Sequence, residues 1–169
     1  MVLNCLINNT ANAKSDDYAT PAHVWKDIEE FIPKNDTIYV PFWLDGGAGE
    51  IFKQLGCTDV IHKNVDFFTN TLLYSVVIDN PPFSKKKQIL SKLRHDCTPF
   101  ILLVPPSTLC TQYFRNLFNN DKDIQFIIPR TRIHFISGTE NDNRPSNCPF
   151  DTIYLCWRMN LPREINWID

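Results

Sequence analysis

In Ser75-Val76-Val77-Ile78-Asp79-Asn80-Pro81-Pro82-Phe83 a β-branched apolar run passes directly into two prolines. The run Ser75 to Ile78 has the composition of a strand buried on both faces. The prolines fix the backbone and hold Asn80 extended, so the strand ends in a stiff turn. Upstream, Thr37-Ile38-Tyr39-Val40 reads as another buried strand and Asp45-Gly46-Gly47-Ala48-Gly49 as the turn after it. Glu50 to Leu55, closed by Gly56, reads as a short helix and Asp59-Val60-Ile61-His62 as the next strand. Downstream come a helix near Lys85–Leu93, the strand Phe100–Val104, a helix near Leu109–Phe118 and the strand Ile124–Ile128. Apolar strands alternating with helices predict an α/β fold, a mostly parallel sheet covered by helices on both faces.

At the two ends the pattern changes. Thr20-Pro21 is a helix-start signal, and Val24, Trp25, Ile28, Phe31 and Ile32 recur at helical spacing, predicting a helix over about 21–32 that Thr20 caps. After Ile128, Arg132–Ile136 and Thr152–Arg158 read as two strands without a helix between them, expected as an antiparallel hairpin at the sheet edge. Ser137 to Pro149 between them is polar and rich in Asn, a functional or disordered loop. Residues 1–17 are expected as a polar arm and 18–169 as a single domain, in keeping with 169 residues and 43% hydrophobic content.

A net charge of −2 and a pI near 6.1 give no global footprint for nucleic acid, so contact with one must be local. Six scattered cysteines without paired spacing imply no metal and free thiols in a reducing, intracellular compartment. No run approaches a membrane span.

The Gly-rich turn between strand and helix places backbone N–H groups where open α/β sheets bind ligands, and Gly46 and Gly49 permit close approach of an adenosyl cofactor. It fits neither a phosphate-binding loop nor a dinucleotide fingerprint. Asn80-Pro81-Pro82-Phe83 suits chemistry on an exocyclic amino group. Such a nitrogen is planar because its lone pair is delocalised into the ring. Acceptors on its two hydrogens, the Asn80 side-chain oxygen and the Pro81 carbonyl, favour a more tetrahedral, nucleophilic nitrogen. Phe83 offers a flat surface for an extruded base. Alone, the tetrapeptide also describes a rigid turn. Its place after Val76-Val77-Ile78 and downstream of the glycine turn favours the chemical reading.

Over residues 20–160 the chain resembles the adenine-specific amino-methyltransferases of DNA, especially the short enzymes of phages and large DNA viruses. The resemblance implies a Rossmann-like class I methyltransferase fold, S-adenosylmethionine as cofactor and DNA as partner. It implies that Thr20 and Pro21 contact the methionine part of the cofactor, and that Pro41, Phe42, Asp45, Gly46 and Gly49 wrap it. It makes Asp66 the acid for the ribose hydroxyls, with Phe67 flanking the adenine. Asn80, Pro81, Pro82 and Phe83 match the catalytic motif in full, and Arg130 to Phe135 resembles a segment near the substrate. Phe83, Ser84, Lys85, Arg130, Arg132 and His134 are the candidate substrate contacts. The cluster Lys85-Lys86-Lys87, extended by Arg130, Arg132 and Arg144, is either solvated or meets phosphates. For His134 a structural role competes with substrate contact, and Asp79 reads as a strand-end acid. Trp43, Trp157 and Trp167 read as packing residues.

Two positions depart from the family pattern. Val40 stands where an acid often accepts from the cofactor's ammonium, and Leu44 where glycine is usual. A lost charge-assisted hydrogen bond is worth about 1.5–3 kcal/mol, so weak cofactor binding is the expectation. Alternatives to adenine in DNA are an amino group in RNA or a protein glutamine, or a non-catalytic binding subunit of the same fold. The sequence leaves monomer and homodimer open.

Overall fold

The computed structural model describes residues 18–43, 47–137 and 151–168. A mixed α/β architecture is built around a seven-stranded sheet in the order β3-β2-β4-β5-β8-β6-β9. The strands are β2 (Thr37–Tyr39), β3 (Asp59–Ile61), β4 (Val76–Asp79), β5 (Phe100–Val104), β6 (Ile124–Ile128), β8 (Ile153–Trp157) and β9 (Ile165–Trp167). All run parallel except β8, which is antiparallel to both of its neighbours. Two further short strands, β1 (Tyr18–Ala19) and β7 (Ile136–Ser137), form a separate antiparallel ladder.

Alternation along the strands sorts the core into two layers. On one face Ile38, Val40, Ile78, Ile101, Leu103 and Tyr154 pack with Val24, Trp25 and Ile28, around helix α1 (Ala22–Lys26), and with Phe52 of α2 (Ala48–Gln54). On the other, Tyr39, Val77, Leu102, Leu155 and Trp157 meet Ile89, Leu90 and Leu93 of α3 (Lys86–His95) and Phe118 of α4 (Gln112–Phe118). Each fully buried aliphatic or aromatic side chain stabilises this sandwich by roughly 1.5–3 kcal/mol. Helices thus cover both faces of a mostly parallel sheet, as the sequence implies for a Rossmann-like methyltransferase. Gly56 closes α2 with φ +87°, the left-handed conformation expected of a glycine just past a helix end.

Several expectations are corrected. The helix over 21–32 is one short helix followed by a 3-10 turn at Glu29–Phe31. Thr20 caps nothing: Pro21 occupies the N-cap position, which puts the Thr20 hydroxyl one residue too far out. The antiparallel element is not an edge hairpin of 132–136 with 152–158. Strand β8 is wedged between β5 and β6, with Leu155 opposite both Leu102 and Phe126. From the other segment only Ile136 and Ser137 are in a strand, and they pair with Ala19 and Tyr18. The alternation in 132–136 is nevertheless real, because Ile133 and Phe135 are buried while Arg132, His134 and Ile136 are exposed. Alternation specifies which side chains are covered, not which strand supplies the hydrogen bonds. Residues 1–17 and the loop over 138–149 lie outside the described residues.

Candidate active site

Strand β2 has β3 on one side and β4 on the other, while β4 leads on to β5. The chain order therefore reverses direction between β2 and β4, and ligands of open α/β sheets bind outside the carboxyl ends at such a switch point. Tyr39 is level with Val77, which sets Pro41-Phe42 beside Asp79-Asn80. The two stretches singled out from sequence, the turn after β2 and Asn80-Pro81-Pro82-Phe83, are thus neighbours.

Asp79 joins them. Its carboxyl group is buried and accepts from the Phe42 N–H at 2.7 Å through one oxygen and from the Asn80 N–H at 2.8 Å through the other. Burial pushes its pKa up to about 8, against the opposing pull of those two hydrogen bonds. Asp79 holds the backbone of Asn80 against the backbone of Phe42 in the turn after β2. A carboxylate ending an otherwise apolar strand was the available signal for this role, and the reading as a strand-end acid missed it.

The Asn80 side-chain oxygen is buried without a hydrogen-bond partner. A buried carbonyl left unmatched costs about 1–3 kcal/mol, so such an acceptor at a switch point is costly unless a ligand donates to it. Pro81 is buried and Pro82 half-buried, and the Pro82 carbonyl accepts from the Lys85 N–H at 3.0 Å, closing the turn into α3. Phe83 is half-buried with the Lys86 ammonium 5.1 Å from its ring centre, a cation–π contact that leaves Lys85 and Lys87 as the exposed lysines of the cluster. Ser84 is also exposed.

Around the cofactor turn, Pro41 is buried and Phe42 lies 5.3 Å from the ring of Phe67. Phe67 is itself buried, with Tyr39 at 6.4 Å. Burial also pushes the Tyr39 hydroxyl up to about 12. Asp66 is exposed, and one of its carboxylate oxygens accepts from the N–H groups of Phe68 at 2.8 Å and Thr69 at 3.0 Å, capping its own turn. Gly49 lies inside α2, and a Cβ there would sit 2.4 Å from the Cβ of His62, so the missing side chain makes room for His62. Trp43 stands 44% exposed and stacks on that imidazole at 4.6 Å, so the indole is a surface ring rather than a core residue. Trp157 is fully buried, whereas Trp167 is exposed on the edge strand. Leu44, Asp45 and Gly46 lie outside the described residues.

The β1–β7 ladder completes the arrangement. It ties Tyr18-Ala19 to Ile136-Ser137, so the half-buried Thr20 and Pro21 follow directly from a strand anchored beside the segment 130–135. Arg130, Arg132 and His134 on that segment are exposed, and the Arg132 guanidinium is 3.3 Å from the Asp151 carboxylate. Arg144 lies outside the described residues.

The sequence profile of the family described as DNA N-6-adenine-methyltransferase (Dam) matches residues 7–166. The chain belongs to that family. No curated protein matches it. A DNA adenine methyltransferase works on DNA and needs a methyl donor, and the match spans both the turn after β2 and Asn80-Pro81-Pro82-Phe83. Among the described residues of this methyltransferase no cluster of three or more potential metal ligands occurs, no helix is long and apolar enough to cross a membrane, and Cys57, Cys97, Cys110 and Cys156 are free thiols.

Proposed function

We propose that the chain transfers the methyl group of S-adenosylmethionine to the N6 amino group of an adenine swung out of the DNA stack. The observation that carries this reading is the Asn80 side-chain oxygen, a buried acceptor without a partner at the switch point. When bound, S-adenosylmethionine supplies an electrophilic methyl group on a positively charged sulfur. Thr20 and Pro21, Pro41 and Phe42, the turn through Asp45, Gly46 and Gly49, and Asp66 with Phe67 would hold it. The buried, unmatched hydroxyl of Thr20 supports that fit.

Asn80 accepts one amino hydrogen of the target base and the Pro81 carbonyl accepts the other. The nitrogen lone pair is thereby drawn out of conjugation toward the methyl group, and the surplus proton leaves to water after transfer. Phe83 stacks on the base. Lys85, Arg130, Arg132 and His134 face the flanking phosphates, with Ser84 beside them. A DNA substrate places the chain in a compartment that holds DNA, and the free thiols Cys57, Cys97, Cys110 and Cys156 suit a reducing one.

The test is methyl transfer from labelled S-adenosylmethionine to mixed-sequence duplex DNA, read by mass spectrometry of the nucleosides, with single-stranded DNA and RNA as competitors. N6-methyladenine is expected, and Asn80→Ala should lower the rate on the order of 10²–10³-fold with an unchanged melting transition. Transfer to RNA in preference to DNA, or an Asn80→Ala variant of full activity, defeats the reading.

A further inference from the structure

His62 follows strand β3 and sits on the α2 face of the sheet, wedged against Gly49 and covered by the Trp43 ring. Its Nδ1 is 2.7 Å from the carbonyl oxygen of Val40. A carbonyl only accepts, so Nδ1 donates, and in the uncharged ring Nε2 carries the lone pair. That Nε2 is buried and has no hydrogen-bond partner. The ring is thus clamped by a hydrogen bond, a stacked indole and a helix backbone, with one acceptor left over. Val40, whose side chain cannot take a polar donor, contributes its backbone to this clamp.

His62 and Asn80 follow strands β3 and β4, which lie on either side of β2. Tyr39 is level with Ile61 and Val77, so His62 falls level with Ile78 and Asn80 lies two residues farther along, which separates the two residues by about 12 Å at the backbone. This is comparable with the reach from a nitrogen under methylation, past the methyl group, the sulfur and one methylene, to a hydroxyl on the attached sugar. An ammonium group calls for an anion as partner, whereas a neutral imidazole lone pair suits a hydroxyl.

We propose that Nε2 of His62 accepts a hydrogen bond from a ribose hydroxyl of the cofactor, the task that the resemblance to the family would give to Asp66. Asp66 spends a carboxylate oxygen on its own turn, while His62 has an acceptor with nothing to receive. The proposal rests on the reading that S-adenosylmethionine is the cofactor, and the two are separable by experiment.

Titration calorimetry with S-adenosylhomocysteine and its 2′-deoxy and 3′-deoxy forms tests it on the wild type, His62→Asn, His62→Gln and Asp66→Ala. Asparagine reproduces the Nδ1 donor to Val40 but not Nε2, so His62→Asn keeps the hydrogen bond to Val40 and removes the acceptor. One deoxy form should bind the wild type about tenfold more weakly than the parent compound. That penalty should vanish in His62→Asn, persist in part in His62→Gln and persist fully in Asp66→Ala. Deoxy forms that bind the wild type as tightly as the parent overturn the proposal, as does a penalty that survives in His62→Asn or disappears in Asp66→Ala. If S-adenosylhomocysteine itself does not bind the wild type, the cofactor reading fails instead.

Discussion

Burial raises the pKa of Asp79, because the cost of burying its charge exceeds what two backbone N–H groups return. Its ordinary value of 3.8 is raised to about 8, so the folded chain holds the proton more tightly than the unfolded one. Stability from this group is therefore complete below pH 4 and declines as the pH rises toward 8, by about 1.4 kcal/mol for each unit of difference. Urea denaturation between pH 4 and pH 8 should show this decline in the wild type and a flatter profile in Asp79→Asn. Equal slopes would mean that the carboxyl is ionised in the fold. At this scale the stretch Asn80-Pro81-Pro82-Phe83 was legible as a candidate motif in the sequence, since its four residues are contiguous. Asp79 and His62 were not, because their roles depend on the Phe42 N–H, the Val40 carbonyl and Gly49, which only the fold brings near.

Among the elements, helix α1 depends on the sheet for more than apolar contact. The Ile28 N–H goes to the carbonyl of Trp25, and the Val24 carbonyl accepts instead from the Tyr154 hydroxyl of β8 at 2.7 Å. Tyr154→Phe should cost about 1–3 kcal/mol in chemical denaturation, because it leaves that carbonyl short of its donor. Helix α2 meets β3 through Gly49, where Gly49→Ala drives a methyl group into His62. Overpacking of this kind costs about 1–3 kcal/mol. Pairing it with His62→Ala should recover part of the loss, which a double-mutant cycle measures. Strands such as Phe100–Val104 were readable because every residue in them is buried and apolar. The two-residue strands β1 and β7 and the edge strand β9 were not, since their pairing is long-range and their composition ordinary.

For the whole molecule, a net charge of −2 leaves DNA no long-range attraction, so on the proposed reading docking rests on the exposed lysines Lys85 and Lys87. Replacing Lys85 and Lys87 by glutamate should weaken DNA binding at every sequence and flatten the salt dependence, by about 0.9 in the logarithmic slope for each phosphate that is no longer neutralised. Lys86 is left in place because it packs over Phe83. An unchanged slope in a filter-binding titration would assign both lysines to solvent.

Strand β8 follows β5 and β6 in the chain yet lies between them in the sheet. While the chain is still emerging from a ribosome, β5 and β6 have no common partner, and each keeps a bare edge of backbone N–H and C=O groups. The strand that fills that gap is Ile153–Trp157. Synthesis of Ile153–Trp157 is thus the moment at which the nascent sheet can close between β5 and β6. A stalled or prematurely terminated chain would be sticky toward its neighbours even though its catalytic motif had been made in full.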